Sequence, residues 1–231
     1  MKRNRAFWLA AAVCLCLATS TRAQIGMNLF KKPNIADIFK PVVGKGALYE
    51  TQRNDQKDAP KRSMEMSIVG TDSVEGKDGY WMEIAHNDER SGQMAYAKML
   101  MTKDFQSHRM IVQQPGQQAM EFPFNLNASD RGKQRRDEEF EKWSQVGTET
   151  ITVPAGTFAC QHWQKEDGKS DVWISDKVSP FGMVKMVSPG ETMTLVKVIA
   201  DAKDHITGPV KTFDPEALKQ QMMEKRQKPQ N

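Results

Sequence analysis

Thr148-Glu149-Thr150-Ile151-Thr152-Val153-Pro154-Ala155-Gly156-Thr157-Phe158-Ala159-Cys160-Gln161-His162-Trp163 is the stretch whose reading decides the fold. Threonine, valine, isoleucine and phenylalanine on both sides of a Pro-Ala-Gly break favour extended backbone. Proline at 154 has its φ preset for the first corner of a type I turn, and Gly156 is free to take the left-handed conformation that closes a three-residue hairpin with a bulge. Thr148 to Val153 is therefore expected to pair antiparallel with Thr157 to Trp163.

The same rhythm of short alternating runs and turn residues extends in both directions. Upstream, strands are expected at Gly46 to Arg53, Ser63 to Val69, Tyr80 to His86, Gln93 to Thr102, Ser107 to Gln113 and Gln117 to Phe122. Downstream, they are expected at Val146 to Val153, Thr157 to Lys165, Ser170 to Ser175, Met183 to Ser188 and Thr192 to Ala200. Connections as short as Lys77-Asp78-Gly79 and Gln114-Pro115-Gly116 join only antiparallel neighbours, so one large antiparallel sheet follows. Three stretches read as helix. Ile35, Ile38 and Phe39 fall at helical spacing before Pro41, Asn125 to Trp143 carries opposite charges one turn apart, and Asp214-Pro215 opens a run through about Lys225. The fold class is mostly β with a few helices (α+β), with about ten or eleven strands.

The N-terminus reads as an address. Lys2, Arg3 and Arg5 precede an apolar and small-residue run from Ala6 to Ala18, and Thr21-Arg22-Ala23 suits a signal peptidase. The run is shorter than the ~20 apolar residues that span a bilayer, so cleavage after Ala23, with Ala18 as the alternative site, is expected rather than anchoring. Cys14 and Cys16 follow Val13 and Leu15, a poor context for lipid attachment. Residues 1–23 are thus assigned to the signal peptide, 24–212 to a single domain and 213–231 to a C-terminal helix with a polar tail. The chain has 33 cationic and 29 acidic residues; four of the cations and none of the acids lie in the first 23, so the remainder is neutral. That neutrality argues against a nucleic-acid partner. Cys160 alone remains of the three cysteines, which excludes an internal disulfide. The expected location is the periplasm or the cell exterior, without stable membrane insertion.

Chemistry-bearing residues are sparse. His86, His108, His162 and His205 are scattered, and none pairs with another at the i, i+4 spacing that lets two imidazoles share a zinc. Cys160 and His162 are two apart on a strand, roughly 7 Å between side chains, and Cys160 reads as a small buried hydrophobe beside Phe158. No nucleophile elbow, phosphate-binding glycine loop or metalloprotease motif occurs. Glu65, Glu83 and Glu149 are expected on outer faces, where a one-sided sheet keeps its charges. Neither catalysis, a metal nor a cofactor is expected.

Methionine is the unusual component: 15 in all, 14 of them after residue 1. Met64, Met66 and Ile68 lie at strand period two, as do Met82 with Ile84 and Met94 with Tyr96, and these seven are expected to share one face and line a cavity. Unbranched, polarizable side chains let such a wall adapt to ligands of differing shape. The same residues would equally serve as ordinary core. Met64-x-Met66 and Met99-x-Met101 also suit copper(I), though no dense Met/His segment supports it.

Val153 to Cys160, Trp173-Ile174-Ser175 and Ser179-Pro180-Phe181-Gly182-Met183-Val184-Lys185 together resemble uncharacterised periplasmic proteins related to the outer-membrane lipoprotein-sorting carriers (the Lol group). The resemblance implies a strongly bent antiparallel half-barrel with helices over its concave side and an apolar cavity that accepts acyl chains. The function expected from it is a non-catalytic binding or carrier module for a lipid, acyl chain or lipoprotein. A structural or interaction protein of the envelope with a filled core is the alternative, and an enzyme the third reading.

Overall fold

The computed structural model describes residues 38–56, 58, 60–87, 92–122, 138 and 142–214. Twelve strands belong to one sheet: β1 (Gly46–Arg53), β2 (Arg62–Val74), β3 (Lys77–Asn87), β4 (Met94–Thr102), β5 (Ser107–Gln113), β6 (Met120–Phe122), β7 (Trp143–Val153), β8 (Gly156–Lys165), β9 (Asp171–Ile174), β10 (Met183–Val187), β11 (Glu191–Ile199) and β12 (Lys211–Thr212). Their order is β12-β6-β5-β4-β3-β2-β1-β11-β10-β9-β8-β7. The sheet consists of two meanders, β1 to β6 and β7 to β11, joined where β1 pairs antiparallel with β11. All eleven expected strands are present, and β12 is one more. It pairs parallel with β6, so the sheet is antiparallel except at that edge.

The hairpin between β7 and β8 forms as expected, with Ile151 opposite Phe158 and Thr148 opposite Gln161. Val153 pairs directly with Gly156, so the loop is Pro154-Ala155, one residue shorter than the expected three. Gly156 has φ 129°, beyond the left-handed helical region that Asn tolerates. The β2–β3 turn is also displaced from its expected place. Val74 pairs with Lys77, leaving Glu75 (φ 50°) and Gly76 (φ 79°) as the two positive-φ residues of a tight hairpin. Gly79 lies inside β3 and is needed for packing: a Cβ there would come within 2.8 Å of Leu100 Cδ1.

Sheet curvature is pronounced at the β7 end. Cα atoms of β7 come within 8 Å of β11, although three strands separate them in the ladder. In a flat sheet four spacings of about 4.8 Å would hold them roughly 19 Å apart, so this end is rolled. Inside the roll Ala47, Tyr49, Phe158, Val184 and Leu195 form one buried cluster, and Tyr49 donates from its hydroxyl to the Met183 carbonyl at 3.0 Å. Burial pushes the Tyr49 phenol well above its ordinary pKa. A second cluster holds Phe39, Ile68, Met82 and Met101. Phe39, Phe105 and Phe181 close over it as a triangle of rings, with centroids 5.4–5.7 Å apart.

Of the expected helices, Asn34 to Lys40 lies mostly outside the described residues, Asn125 to Trp143 almost wholly so, and Pro215 to Lys225 entirely. Trp143 itself opens β7. No helical cover over the sheet is seen among the described residues, and none of their helices is long and apolar enough to cross a membrane.

Candidate functional site

Strand register assembles an apolar pocket at the β7–β10 end. Trp163 on β8 pairs with Val172 on β9. Two residues further along β8, Lys165 pairs with Trp143 on β7, which places both tryptophans on one side of the sheet. Val172 and Ile174 continue that side across β9. Opposite them on β10 stand Met186 and Met183, three residues apart yet on the same side because a bulge falls between Met183 and Lys185. Ile38, just before the sheet, and Phe181, in the β9–β10 corner, complete the wall. The resulting cavity is about 310 Å³, lined by Ile38, Trp143, Trp163, Val172, Ile174, Phe181, Met183 and Met186.

Six of these eight side chains carry no nitrogen or oxygen at all, and the indoles of Trp143 and Trp163 are donors only. Trp163 is 5% exposed, and its Nε1 is buried with no hydrogen-bond partner among the described residues.

None of the seven residues expected from the sequence to line a cavity lines this one. Met64 and Met66 pack against the Tyr49–Leu195 cluster, while Ile68 and Met82 are 0% and 3% exposed within the second cluster, with Ile84 against it. Met94 and Tyr96 are on the opposite face. Met82 pairs with Met99, so the β4 residues sharing its side are Met99, Ala97 and Ala95. Met94 is 41% exposed, and Tyr96 stacks on His205 at 4.9 Å. The shared-face expectation thus holds for the β2 and β3 residues and fails on β4, where the register with β3 puts Met94 and Tyr96 on the alternate set of positions. The residues that do form the pocket gave only a weak signal: β9 has four residues, too few to show alternation, and the β10 bulge gives Met183 and Met186 a spacing of three.

Opposite the methionine face lies a polar cluster. Glu83, expected on an outer face, is 2% exposed because residues 201–213 cross over it. His205 Nδ1 lies 2.6 Å from Glu83 Oε1, and the His205 backbone N–H donates to Oε2 at 3.2 Å. Lys98 Nζ donates to Asp204 at 2.6 Å and sits 5.3 Å from the Trp81 ring centroid. Ile206 plugs into Ile111 and Ala119, and this strap ends in β12, with Phe213 against Phe122 at 5.0 Å. Burial pushes the Glu83 carboxyl above the usual range, against the lowering effect of its bonds to His205. The cluster ties down chain; it presents no nucleophile.

A third group is at the surface. His162 is held between Asp171 (2.7 Å) and Glu149 (3.1 Å) and stacks on Trp173, whose indole N–H donates to Glu149. Cys160 is buried, donates weakly to the Phe158 carbonyl at 3.5 Å, and has its thiol pKa raised by burial and by the Glu149 charge. A thiol kept protonated is a poor nucleophile. Among the described residues no group of three or more His, Cys, Asp or Glu side chains could hold a metal.

No protein-family profile matches the chain, and no curated protein matches it. Among solved structures, it is similar to a candidate lipoprotein of Parabacteroides distasonis, at 13% identity and TM-score 0.34, over 70% of this chain and 97% of that one. It is also similar to a candidate exported protein with a YmcC-like fold from Bacteroides fragilis, at 9% identity and TM-score 0.34, over 70% and 98% of the two chains. A DUF1329 family protein of Desulfovibrio piger gives 11% identity and TM-score 0.30, over 68% and 85%.

Proposed function

We propose that this chain is an exported, non-catalytic binding module that holds one slender apolar ligand, such as an acyl chain, in the pocket between β7 and β10. The observation that carries the reading is the pocket wall itself: about 310 Å³ lined by contiguous apolar side chains from four adjacent strands and the segments beside them. Ligand pockets typically span roughly 300–1,000 Å³ and are mainly apolar with a few polar groups. At the lower end of that range this one suits a single chain rather than a bulky multi-chain lipid. Met183 and Met186 supply walls that adjust to ligand shape. Export is supported by the cationic and apolar pattern of residues 1–23.

The test is Trp quenching by a bromine-tagged alkyl chain added to the mature protein, since Trp143 and Trp163 both line the site. Concentration-dependent, saturable quenching that is lost in Met186→Glu supports the reading. Absence of saturable binding by the wild type refutes it and favours a scaffold role.

A further inference from the structure

Strand β7 is the last strand at one edge of the sheet: it pairs with β8 on one side, and among the described residues nothing pairs with the other. The direction of its backbone groups follows from the hairpin. Val153 and Gly156 flank a two-residue loop and exchange both backbone hydrogen bonds, and along an antiparallel ladder such pairs alternate with pairs that exchange none. Ile151–Phe158 and Glu149–Cys160 are therefore bonded pairs, whereas Thr148, Thr150 and Thr152 turn their N–H and C=O groups away from β8. Thr152 Oγ1 and Thr157 Oγ1 lie 3.0 Å apart, as expected where a non-bonded pair brings side chains closer. All three threonines of β7 are exposed, so the roll toward β11 leaves this edge open. Native edges are usually guarded by shortness, lysine, proline or a bulge. The opposite edge is guarded in this way, since β12 has two residues and begins with Lys211. β7 has 11 residues, none of them Lys, Arg or Pro, and its bulge falls between Gln145 and Gly147, before the threonines.

We infer that β7 pairs antiparallel with β7 of a second copy of this chain across a two-fold axis at Thr150, joining two sheets into one. The occupant is a second copy because the segment is self-complementary. Thr148-Glu149-Thr150-Ile151-Thr152 places threonine symmetrically about position 150. A two-fold axis there sets Thr150 opposite its own counterpart and Thr148 opposite Thr152 of the partner subunit. Each of these pairs falls on outward-facing backbone, so together they can exchange about six hydrogen bonds. Cross-strand threonine pairs favour the same association on the exposed face. Glu149, the strand's one charged residue, stands opposite Ile151 in this register, and it is already turned to His162 and the Trp173 indole. An axis at Glu149 would set like charges opposite one another and aim bonded rather than free backbone groups at the centre. An axis at Thr148 would run into the bulge.

Sedimentation velocity over a dilution series of the mature protein tests this. Wild type should pass from monomer to dimer as concentration rises and go no further, because isologous pairing uses up the edge. Thr150→Pro deletes the central N–H on the side where the monomer makes no ladder bond, so it should keep the wild-type circular dichroism spectrum and lose the dimer. Thr150→Lys and Thr150→Glu each set like charges opposite one another and should weaken association about five-fold. Mixed in equal amounts, these two should associate more tightly than either alone, since this register brings residue 150 against itself. If Thr150→Pro fails to fold, the charge variants carry the test. A wild type that stays monomeric at every concentration overturns the inference and leaves the edge for an extended strand of another protein. A dimer that neither charge variant weakens, or that their mixture does not restore, overturns it too, because the interface then lies elsewhere.

Discussion

Replacing His205 by alanine tests how the strap over the outer face is held. Glu83 is 2% exposed and takes one hydrogen bond from the His205 ring at 2.6 Å and one from its backbone N–H at 3.2 Å. Alanine keeps the backbone donor and removes the ring. A hydrogen bond to a charged group contributes about 1.5–3 kcal/mol; His205 is 40% exposed, so water partly replaces it and the lower end, about 1.5 kcal/mol, applies. Loss of the stack on Tyr96 adds about 0.5 kcal/mol. The total of about 2 kcal/mol corresponds to a fall in melting temperature of roughly 4–8 °C for a domain of this size.

Circular dichroism melts at neutral pH measure the fall, and hydrogen exchange should accelerate across residues 201–213 before the rest of the sheet. Adding Glu83→Gln to His205→Ala should recover part of the loss, since the buried group left behind is then neutral. A single variant within about 0.5 kcal/mol of wild type, or no recovery in the double variant, would refute the assignment of Glu83 as a buried charge anchored by the strap.

Four further outcomes are expected. Because burial raises the Glu83 pKa, protonation favours the folded state: this contribution is fully present below about pH 4.5 and is lost as pH rises through the folded pKa, so the stability of wild type relative to Glu83→Gln should decline across that window in pH-dependent urea melts. Gly156→Val and Gly156→Asn should each destabilise by about 1–3 kcal/mol and melt close together, since φ 129° lies outside the region where Asn has an advantage and a Cβ there has room; a much milder Asn variant would place Gly156 in the left-handed helical region instead. Cys160→Ser should cost about 1–2 kcal/mol and leave probe binding intact. Met82→Glu should fail to fold by circular dichroism, because that side chain is 3% exposed in a packed cluster, whereas Met82→Leu should stay within about 1.5 kcal/mol of wild type.

Much of the fold was legible in the sequence because local chemistry specifies it. Alternation with period two makes Met64, Met66 and Ile68 one face of β2 whatever that strand pairs with, and Pro154 with Gly156 ends β7 and reverses the chain without help from distant residues. Cys160 could be read as an inert buried thiol for the same reason: Phe158, two positions away on the same strand face, demands burial.

Tertiary structure alone decided which strand meets which and what covers each face. The β1–β11 pairing joins residues more than a hundred positions apart, and no local signal encodes it. Period two is blind to phase, so Met94 and Tyr96 could be assigned to either face until Met82 was seen opposite Met99. A single bulge in β10 turned Met183 and Met186 toward one pocket, and the roll of β7 back toward β11 curved the sheet into which that pocket is set. Glu83 belongs to an outer face by sequence, and only the strap carrying His205 makes it buried. A residue's own chemistry sets its preference for extended backbone, but its burial depends on chain that arrives from elsewhere.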